Sequence, residues 1–150
     1  MNLPRLTSFA CAVALASCAG TRPAGLGVGP SGLAPCPSSP NCVSSAATDA
    51  GHRVPPFEFA VAPAEAWRAA RDAVAALPRT RIVTETQTYL HAECGSRLLG
   101  FVDDLELHLH GEEKAIAVRS ASRLGYSDLG VNRKRVLELR AALVKSGIRP

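Results

Sequence analysis

The hydrophobic positions of this chain follow two periods in alternating stretches, one typical of β-strands and one typical of α-helices. Alternating patterns and runs rich in β-forming residues predict strands at residues 57–61, 81–86, 88–94, 99–110 and 115–122. Apolar residues three and four positions apart predict two helices, at residues 63–77 and 129–146. The expected fold is α+β, an antiparallel sheet of about five strands packed against two helices.

The strand predicted at 99–110 divides its side chains between two faces. One face is apolar except for Asp103. The other face, which we expect to meet solvent, carries Asp104, Glu106, His108 and His110. A turn at 111–114 that keeps apolar residues opposite each other places Asp103 against Ser122, and Glu106 against Arg119 as a cross-strand ion pair. The same register pairs Leu109 with Ile116, Leu107 with Val118 and Leu105 with Ser120.

Residues 1–17 have the pattern of a bacterial signal peptide. Arg5 and the amino terminus supply positive charge ahead of an uncharged apolar stretch at 6–16. That stretch is shorter than the roughly 20 apolar residues that a membrane-spanning helix needs, so cleavage is expected. The string LASC at 15–18 is typical of lipoprotein processing, which would leave a mature chain beginning at a lipidated, palmitate-bearing Cys18. Ordinary secretion without a lipid is the alternative.

A lipidated chain of this type is expected in the cell envelope. Ala19 stands where an aspartate would retain many Gram-negative lipoproteins at the inner membrane, so we expect the periplasmic face of the outer membrane. Residues 18–35 are rich in glycine, proline, alanine and serine and have no hydrophobic period, which predicts a flexible tether. A single globular domain then covers residues 36–150.

The charge of the chain limits its partners. The formal net charge is a modest +4, and basic residues are not interleaved with aromatic ones, so we expect no nucleic-acid partner. We also expect no cofactor. The predicted partners are the membrane, through Cys18, and an anionic envelope component or an envelope protein.

Three cysteines remain after the signal peptide and the lipidation site. Cys36 and Cys42 are separated by the proline-rich turn PSSPN at 37–41, which can bring their Cα atoms within bridging range in an oxidising compartment. Two free thiols or a metal-binding pair are the alternatives, although no histidine lies at zinc-finger spacing. Cys94 lies in an apolar strand pattern and is expected to be a small buried residue.

Three blocks of this sequence resemble the signature blocks of one family. They are LAPCPSSPNCVSS at 33–45, SRLLGFVDDLE at 96–106 and VRSASRLGYSDLGVNRKR at 118–135. In this order they resemble the domain of unknown function 1499 family of bacteria and plastids, over residues 33 to about 146. The resemblance implies a secreted, membrane-attached or lumenal domain and no particular chemistry. Cys94 departs from the bulky aromatic residue expected there in the family.

Asp103 is the most unusual residue of the predicted core. A carboxylate on an apolar face needs cations or hydrogen-bond donors, because an unpaired buried charge is strongly unfavourable. Arg97, Arg123 and the stretch around Tyr126 are the candidate partners at that end of the sheet. Two interpretations stay open: a buried ion-pair network that pins the last helix to the sheet, or a polar pocket.

The start of the last predicted helix carries Arg-Lys-Arg at 133–135, where the helix dipole disfavours cations. Asp128 as a helix cap, with an aspartate of the preceding strand, could compensate this charge internally. The alternative is an anion bound at the helix start and surrounded by arginines. The candidate ligand-binding residues are Arg97, Asp103, Asp104, Arg119, Arg123, Tyr126, Asn132 and Arg133.

Signatures of catalysis and metal binding are weak. Glu106, His108 and His110 have the spacing of metal ligands on a strand, but they lie on the expected solvent face, and we predict no metal site. Ser44 and Ser45 lack a nucleophile elbow, and we predict no catalytic residues. We therefore expect a binding or scaffolding domain rather than an enzyme. The alternatives are a hydrolase that uses Asp103 or Asp104 with nearby arginines, and a protein-binding subunit of an envelope complex.

Overall fold

The computed structural model describes residues 19–97, 100–146 and 148–149. The predicted signal peptide and the lipidation site at Cys18 lie outside these residues. In the described part of the chain, no helix has the length and apolar character needed to cross a membrane. The elements in chain order are β1 (Val28–Gly29), β2 (Gly32–Leu33), β3 (Cys42–Ser44), β4 (Phe57–Phe59), α1 (Pro63–Ala75), β5 (Thr80–Glu85), β6 (Tyr89–Gly95), β7 (Val102–His110), β8 (Ala115–Ser122), α2 (Val131–Val144) and β9 (Ile148–Arg149).

The main sheet has the strand order β5-β6-β7-β8-β4-β9, and β3 pairs with a second stretch of β8. Its strand pairings are antiparallel, and the two described α-helices pack on it, so the α+β prediction is confirmed. The strands that the sequence did not predict are β1, β2, β3 and β9, which have only two or three residues each. These strands are too short to show a hydrophobic period, so the sequence does not reveal them. Pairing with neighbouring strands holds them in place.

The predicted register between β7 and β8 is confirmed. Leu109 opposes Ile116, and the pairing continues through Asp103 opposite Ser122 at the other end of the hairpin. The pattern of core residues fixes this register because a shift by one residue would move every side chain to the opposite face. Asp103 and Asp104 therefore point to opposite faces of the sheet.

Both helices pack on the face of the sheet that carries Asp103, which we call the inner face. The buried stripe of α1 contains Ala66, Trp67, Ala70 and Val74. The buried stripe of α2 contains Asn132, Val136, Leu139 and Leu143. Together with the apolar residues of β6, β7 and β8, the apolar members of these two stripes form one core, as their helical and strand periods predict.

The structure differs from the flexible tether expected at 18–35 in the residues that it describes. Residues 19–37, which we call the N-terminal segment, contain the β1–β2 pair and lie against the opposite, outer face of the sheet. Arg22 pairs with Glu93 at 2.6 Å, and Leu33 is buried. The tether was expected because this segment has little apolar area to bury. Polar contacts to the sheet, which composition does not reveal, hold much of it in place.

The expectation that the outer face of β7 meets solvent is wrong. Asp104 and Glu106 are only 1% and 0% exposed. The N-terminal segment covers this face and supplies a hydrogen bond from the Gly27 amide to the Glu106 carboxylate. The outer face is therefore a second buried layer with polar contents.

The predicted disulfide between Cys36 and Cys42 is confirmed, with Cα atoms 5.6 Å apart. It joins the end of the N-terminal segment to the start of β3. Cys94 is a free, buried thiol, as its strand pattern predicted.

Two leucines of α2 test the assignment of its buried face. Leu139 is 0% exposed and Leu137 is 57% exposed. Leu139→Ala should lower the free energy of unfolding by about 2–5 kcal/mol, because the core cannot fully collapse around the lost side chain. Leu137→Ala, the matched control, should change it by no more than about 0.5 kcal/mol. Urea unfolding followed by the fluorescence of Trp67 measures both, and equal losses would contradict the assignment.

Candidate functional site

The site begins with strand β7, which carries three buried carboxylates. Asp103 faces α2 on the inner face, and Asp104 and Glu106 lie beneath the N-terminal segment on the outer face. A buried carboxylate is tolerated only when cations and hydrogen-bond donors surround it. Each side of the strand therefore has its own polar cluster.

The inner cluster joins α2 to the sheet through Asp103. Its carboxylate accepts a 2.6 Å hydrogen bond from Arg135, whose guanidinium also donates to Ser120 at 2.9 Å. Asn132 is fully buried beside them, and its amide donates to Ser122 and to the Asn41 carbonyl. The interpretation as an ion-pair network that pins the last helix to the sheet fits this arrangement.

The expected partners of Asp103 are wrong, because the structure pairs it with Arg135 rather than with Arg97 or Arg123. Strand alternation explains the difference for Arg123, since it follows Ser122 and therefore points to the outer face. A signal for Arg135 was present in the sequence. It lies three residues after Asn132, on the same side of α2.

The outer cluster has Arg123 at its centre. The Arg123 guanidinium donates to both oxygens of Asp104, at 2.8 and 2.7 Å, and to Glu93 at 2.7 Å. The His91 ring nitrogen Nε2 lies 2.7 Å from Asp104 Oδ1. Arg22 and Arg81 complete the charge balance by pairing with Glu93.

Glu106 forms a second part of the outer cluster. Its carboxylate accepts hydrogen bonds from the Tyr89 hydroxyl at 2.9 Å, the Gly27 amide at 2.9 Å and Arg119 at 3.0 Å. The predicted cross-strand contact between Glu106 and Arg119 is thus confirmed. Burial and the neighbouring Glu106 carboxylate raise the pKa of Tyr89, so its hydroxyl remains a donor.

Glu93 and Asp104 of the outer cluster stay ionised near neutral pH. Hydrogen bonds from Arg123, Arg22 and Arg81 lower the pKa of Glu93 to about 2. Burial raises the pKa of Asp104, but the hydrogen bonds from Arg123 and His91 outweigh it and hold this pKa below its usual value. Near neutral pH, the charges of Glu93, Asp104 and Arg123 therefore saturate one another, whereas Arg119 Nε is buried without a hydrogen-bond partner among the described residues.

A cleft of about 420 Å³ lies between the N-terminal segment and the outer face, lined in part by Asp104, Arg119 and Arg123. Both oxygens of Asp104 already accept hydrogen bonds from Arg123 and His91. Asp103 lies under α2, bonded to Arg135. Neither aspartate has the free, cleft-facing carboxylate that a hydrolytic acid or base needs, so the geometry does not favour the hydrolase alternative.

A second cavity lies between the end of α1, strand β5 and helix α2, and we call it the α2 groove. Its volume is about 290 Å³. Its wall includes five charged side chains, those of Glu138 and of the cations Arg79, Arg97, Lys134 and Arg135. Cys94 also lines the groove, where burial raises the pKa of its thiol.

The cations of the α2 groove are only partly neutralised. Arg135 is paired with Asp103, and Lys134 lies 3.9 Å from Glu138. In the part of the chain that the structure describes, neither Arg79 nor Arg97 forms an ion pair. Arg79 has a left-handed backbone, with φ at 53°, and its Nε donates to the Gly95 carbonyl at 3.2 Å. Strained residues of this kind are concentrated at functional sites.

The structure distributes the sequence-predicted site residues over several places. Asp103 and Asn132 belong to the inner cluster, Arg97 lines the α2 groove, and Arg133 donates to the carbonyls of Gly51 and Arg53. Tyr126 is 77% exposed. The remaining three residues, Asp104, Arg119 and Arg123, line the outer cleft. A single pocket with Arg97, Arg123 and Arg133 around one anion is therefore not formed.

The charge at the start of α2 is balanced by three different means. The residue at the N-cap position is Gly130 rather than the predicted Asp128, but the Asp128 carboxylate still accepts hydrogen bonds from the Gly130 and Asn132 amides. Arg133 binds backbone carbonyls, and Arg135 pairs with Asp103. Sequence reasoning missed Arg79 and Lys134 as site residues, because they come together only when α1 and α2 pack side by side.

The saturated outer cluster predicts an acid-sensitive contribution to stability. Because the pKa of Glu93 is lowered, its contribution is present above the unfolded pKa of about 4.3 and is lost as the pH falls towards 2. Glu93→Gln should therefore lower the free energy of unfolding at pH 7 by about 2 kcal/mol, after allowance for solvent screening of Arg22 and Arg81. The free energy of unfolding of this variant should also depend less steeply on pH between about 5 and 2.

Urea unfolding across this pH range measures the effect. Glu112→Gln, which removes an exposed carboxylate with no ion pair among the described residues, is the matched control. Identical pH profiles for the two variants would show that the outer cluster does not stabilise the fold through its charges.

Comparison with known proteins identifies a family but no individual relative. The family described as a protein of unknown function (DUF1499) matches residues 32–143, which include β3 to β8, nearly all of α2 and both polar clusters except Arg22 and Gly27. Neither the curated proteins nor the solved structures include a significant match to the chain. The chain belongs to the DUF1499 family.

Proposed function

We propose that this chain is a lipid-anchored cell-envelope protein whose domain binds an anionic group of an envelope component in the α2 groove. The observation that carries the binding proposal is the excess of cations around this groove. Its wall has four cationic side chains and one carboxylate, and Arg79 and Arg97 have no ion-pair partner among the described residues. A surface cavity with unneutralised arginines favours negatively charged ligands.

The anchor part of the proposal rests on the sequence. A cationic start, a short apolar stretch and the LASC string place Cys18 where lipoprotein processing would modify it. Several acyl chains hold a protein at a membrane far more firmly than one. Ala19 supports the periplasmic face of the outer membrane as the location.

The chemistry of the groove indicates the class of ligand. Guanidinium groups bind phosphate and carboxylate oxygens in paired hydrogen bonds, and Lys134 adds a mobile point charge. The volume of about 290 Å³ lies at the small end of ligand cavities, so it fits one charged group rather than a whole polymer. A phosphate or carboxylate on a larger envelope molecule is the ligand that we expect.

Two exposed cations of the groove, Arg97 and Lys134, test the binding proposal. Inorganic phosphate and succinate should each bind the mature protein, measured by NMR titration at constant ionic strength. Arg97→Gln and Lys134→Gln should each weaken binding by about tenfold, because each removes one charge-assisted contact. Arg68→Gln and Lys145→Gln remove the same charges from exposed positions outside the groove and should leave the affinity unchanged.

Equal weakening by all four variants would indicate only a general effect of net charge. Absence of any titration shift with both anions would also count against the groove as an anion site. Either result contradicts this part of the proposal and leaves the anchor untouched.

The anchor is tested through Cys18. In a Gram-negative bacterium, the chain should fractionate with membranes, and mass spectrometry of its first peptide should show the added acyl mass. Cys18→Ala should abolish both, because no thiol remains to accept the lipid. Cys11→Ala, which changes a cysteine inside the predicted signal peptide, is the matched control and should still be acylated. A soluble chain cut beyond residue 18 would support ordinary secretion instead.

A further inference from the structure

Large apolar side chains are exposed together at one end of the domain. Among the described residues, five of them, 39–94% exposed, come from the residue before β7, from the connection between β8 and α2, and from the first residue of α2. We call this surface the apolar end, and it consists of Phe101, Leu124, Tyr126, Leu129 and Val131.

Backbone pairing brings the two parts of this surface together. Beyond the last paired residues of β7 and β8, the Arg123 amide donates to the Val102 carbonyl at 3.2 Å. This hydrogen bond extends the pairing to Val102 and Arg123, the neighbours of Phe101 and Leu124, so both residues lie at this end of the hairpin. The residues of the apolar end therefore come from stretches of chain that meet at one end of the sheet.

Leu129 is held in the exposed position by the backbone. It is 94% exposed and has a left-handed backbone with φ at 54°, which is unfavourable for leucine. Asp128 fixes the turn by accepting hydrogen bonds from the amides of Gly130 and Asn132. A strained turn that presents an exposed leucine has no benefit in water, and such strain is typical of sites with a binding role.

The chain also enters the domain at this surface. Gly20 lies so close to the β8–α2 connection that a Cβ atom on it would be 3.0 Å from both Arg123 Cβ and Leu124 Cγ. Cys18 is only two residues earlier in the sequence. Two residues of chain span at most about 7 Å, so acyl chains on Cys18 would leave the protein beside the apolar end.

We propose that the apolar end rests on the membrane that receives the acyl chains, with the side chains of Leu124 and Leu129 in the lipid. The proposal rests on the lipid anchor described above. The anchor leaves almost no free chain between the membrane and the domain, so one end of the domain must face the lipid. The end nearest to the anchor carries five of the eight large apolar side chains that are exposed among the described residues.

Charge at the same end matches a phospholipid surface. Val131 belongs both to the apolar end and to the wall of the α2 groove, so the groove opens beside the proposed contact. Its exposed cations Arg97 and Lys134 would then lie at the level of the lipid phosphates. Apolar side chains flanked by cations are typical of surfaces that bind membranes.

An environment-sensitive label tests this orientation in the acylated protein. Leu129→Cys and Leu137→Cys each introduce one reactive thiol, because Cys94 is buried and Cys36 and Cys42 are bonded to each other. Leu137 is the matched control, an exposed leucine about 9 Å along α2 from Val131. Both are labelled with nitrobenzoxadiazole and reconstituted in vesicles of phosphatidylethanolamine and phosphatidylglycerol.

The label at position 129 should show a blue-shifted emission and a several-fold rise in intensity relative to the same protein in detergent-free buffer with the acyl chains removed. The label at position 137 should show neither change. Emission typical of water at both positions in a vesicle-bound protein would overturn the membrane contact and leave the apolar end for a protein partner. Mass spectrometry of the same samples separates this result from failure of the anchor, since a chain without acyl mass would overturn the anchor and the contact together.

Discussion

The structure depends on one constraint, the burial of carboxylates on both faces of strand β7. A buried carboxylate that loses its partner destabilises a protein by about 3–5 kcal/mol, so each one must be matched by donors from elsewhere in the chain. Asp103 forms an ion pair with Arg135 of α2, and Asp104 forms one with Arg123, which directly follows β8. The last helix and the connection that precedes it are thus positioned by charge as well as by apolar packing.

The same constraint explains the path of the N-terminal segment. Without a cover, Glu106 would lie on an open face, where its contact with Arg119 would be screened by water. The segment places the Gly27 amide on Glu106 and Arg22 on Glu93, so a glycine- and proline-rich stretch with little apolar area lies against the sheet. The contacts of this segment with β6 and β7 also fix the position of the residues that follow the predicted lipidation site.

The sequence predicted the elements that have a clear period and the register between β7 and β8, because both depend on which residues enter the core. It could not predict the cover of the outer face, since a segment without hydrophobic period reveals its contacts only through distant charges such as Glu93. The partner of Asp103 was predictable in principle from the helical position of Arg135. The α2 groove was not, because Arg79 and Lys134 are 55 positions apart in the sequence and are joined only by helix packing.

Saturation separates the structural arginines of this domain from those that remain available to a ligand. Arg123 and Arg135 use their guanidinium groups on buried carboxylates, and a ligand that displaced those contacts would leave a buried charge without a partner. Arg97 and Arg79 form no ion pair among the described residues, and they line the groove to which Val131 of the apolar end also belongs. A ligand bound there would be held at the membrane surface. In the functions proposed above, the anchor, the apolar contact and the open cations would therefore act on the same boundary between lipid and water.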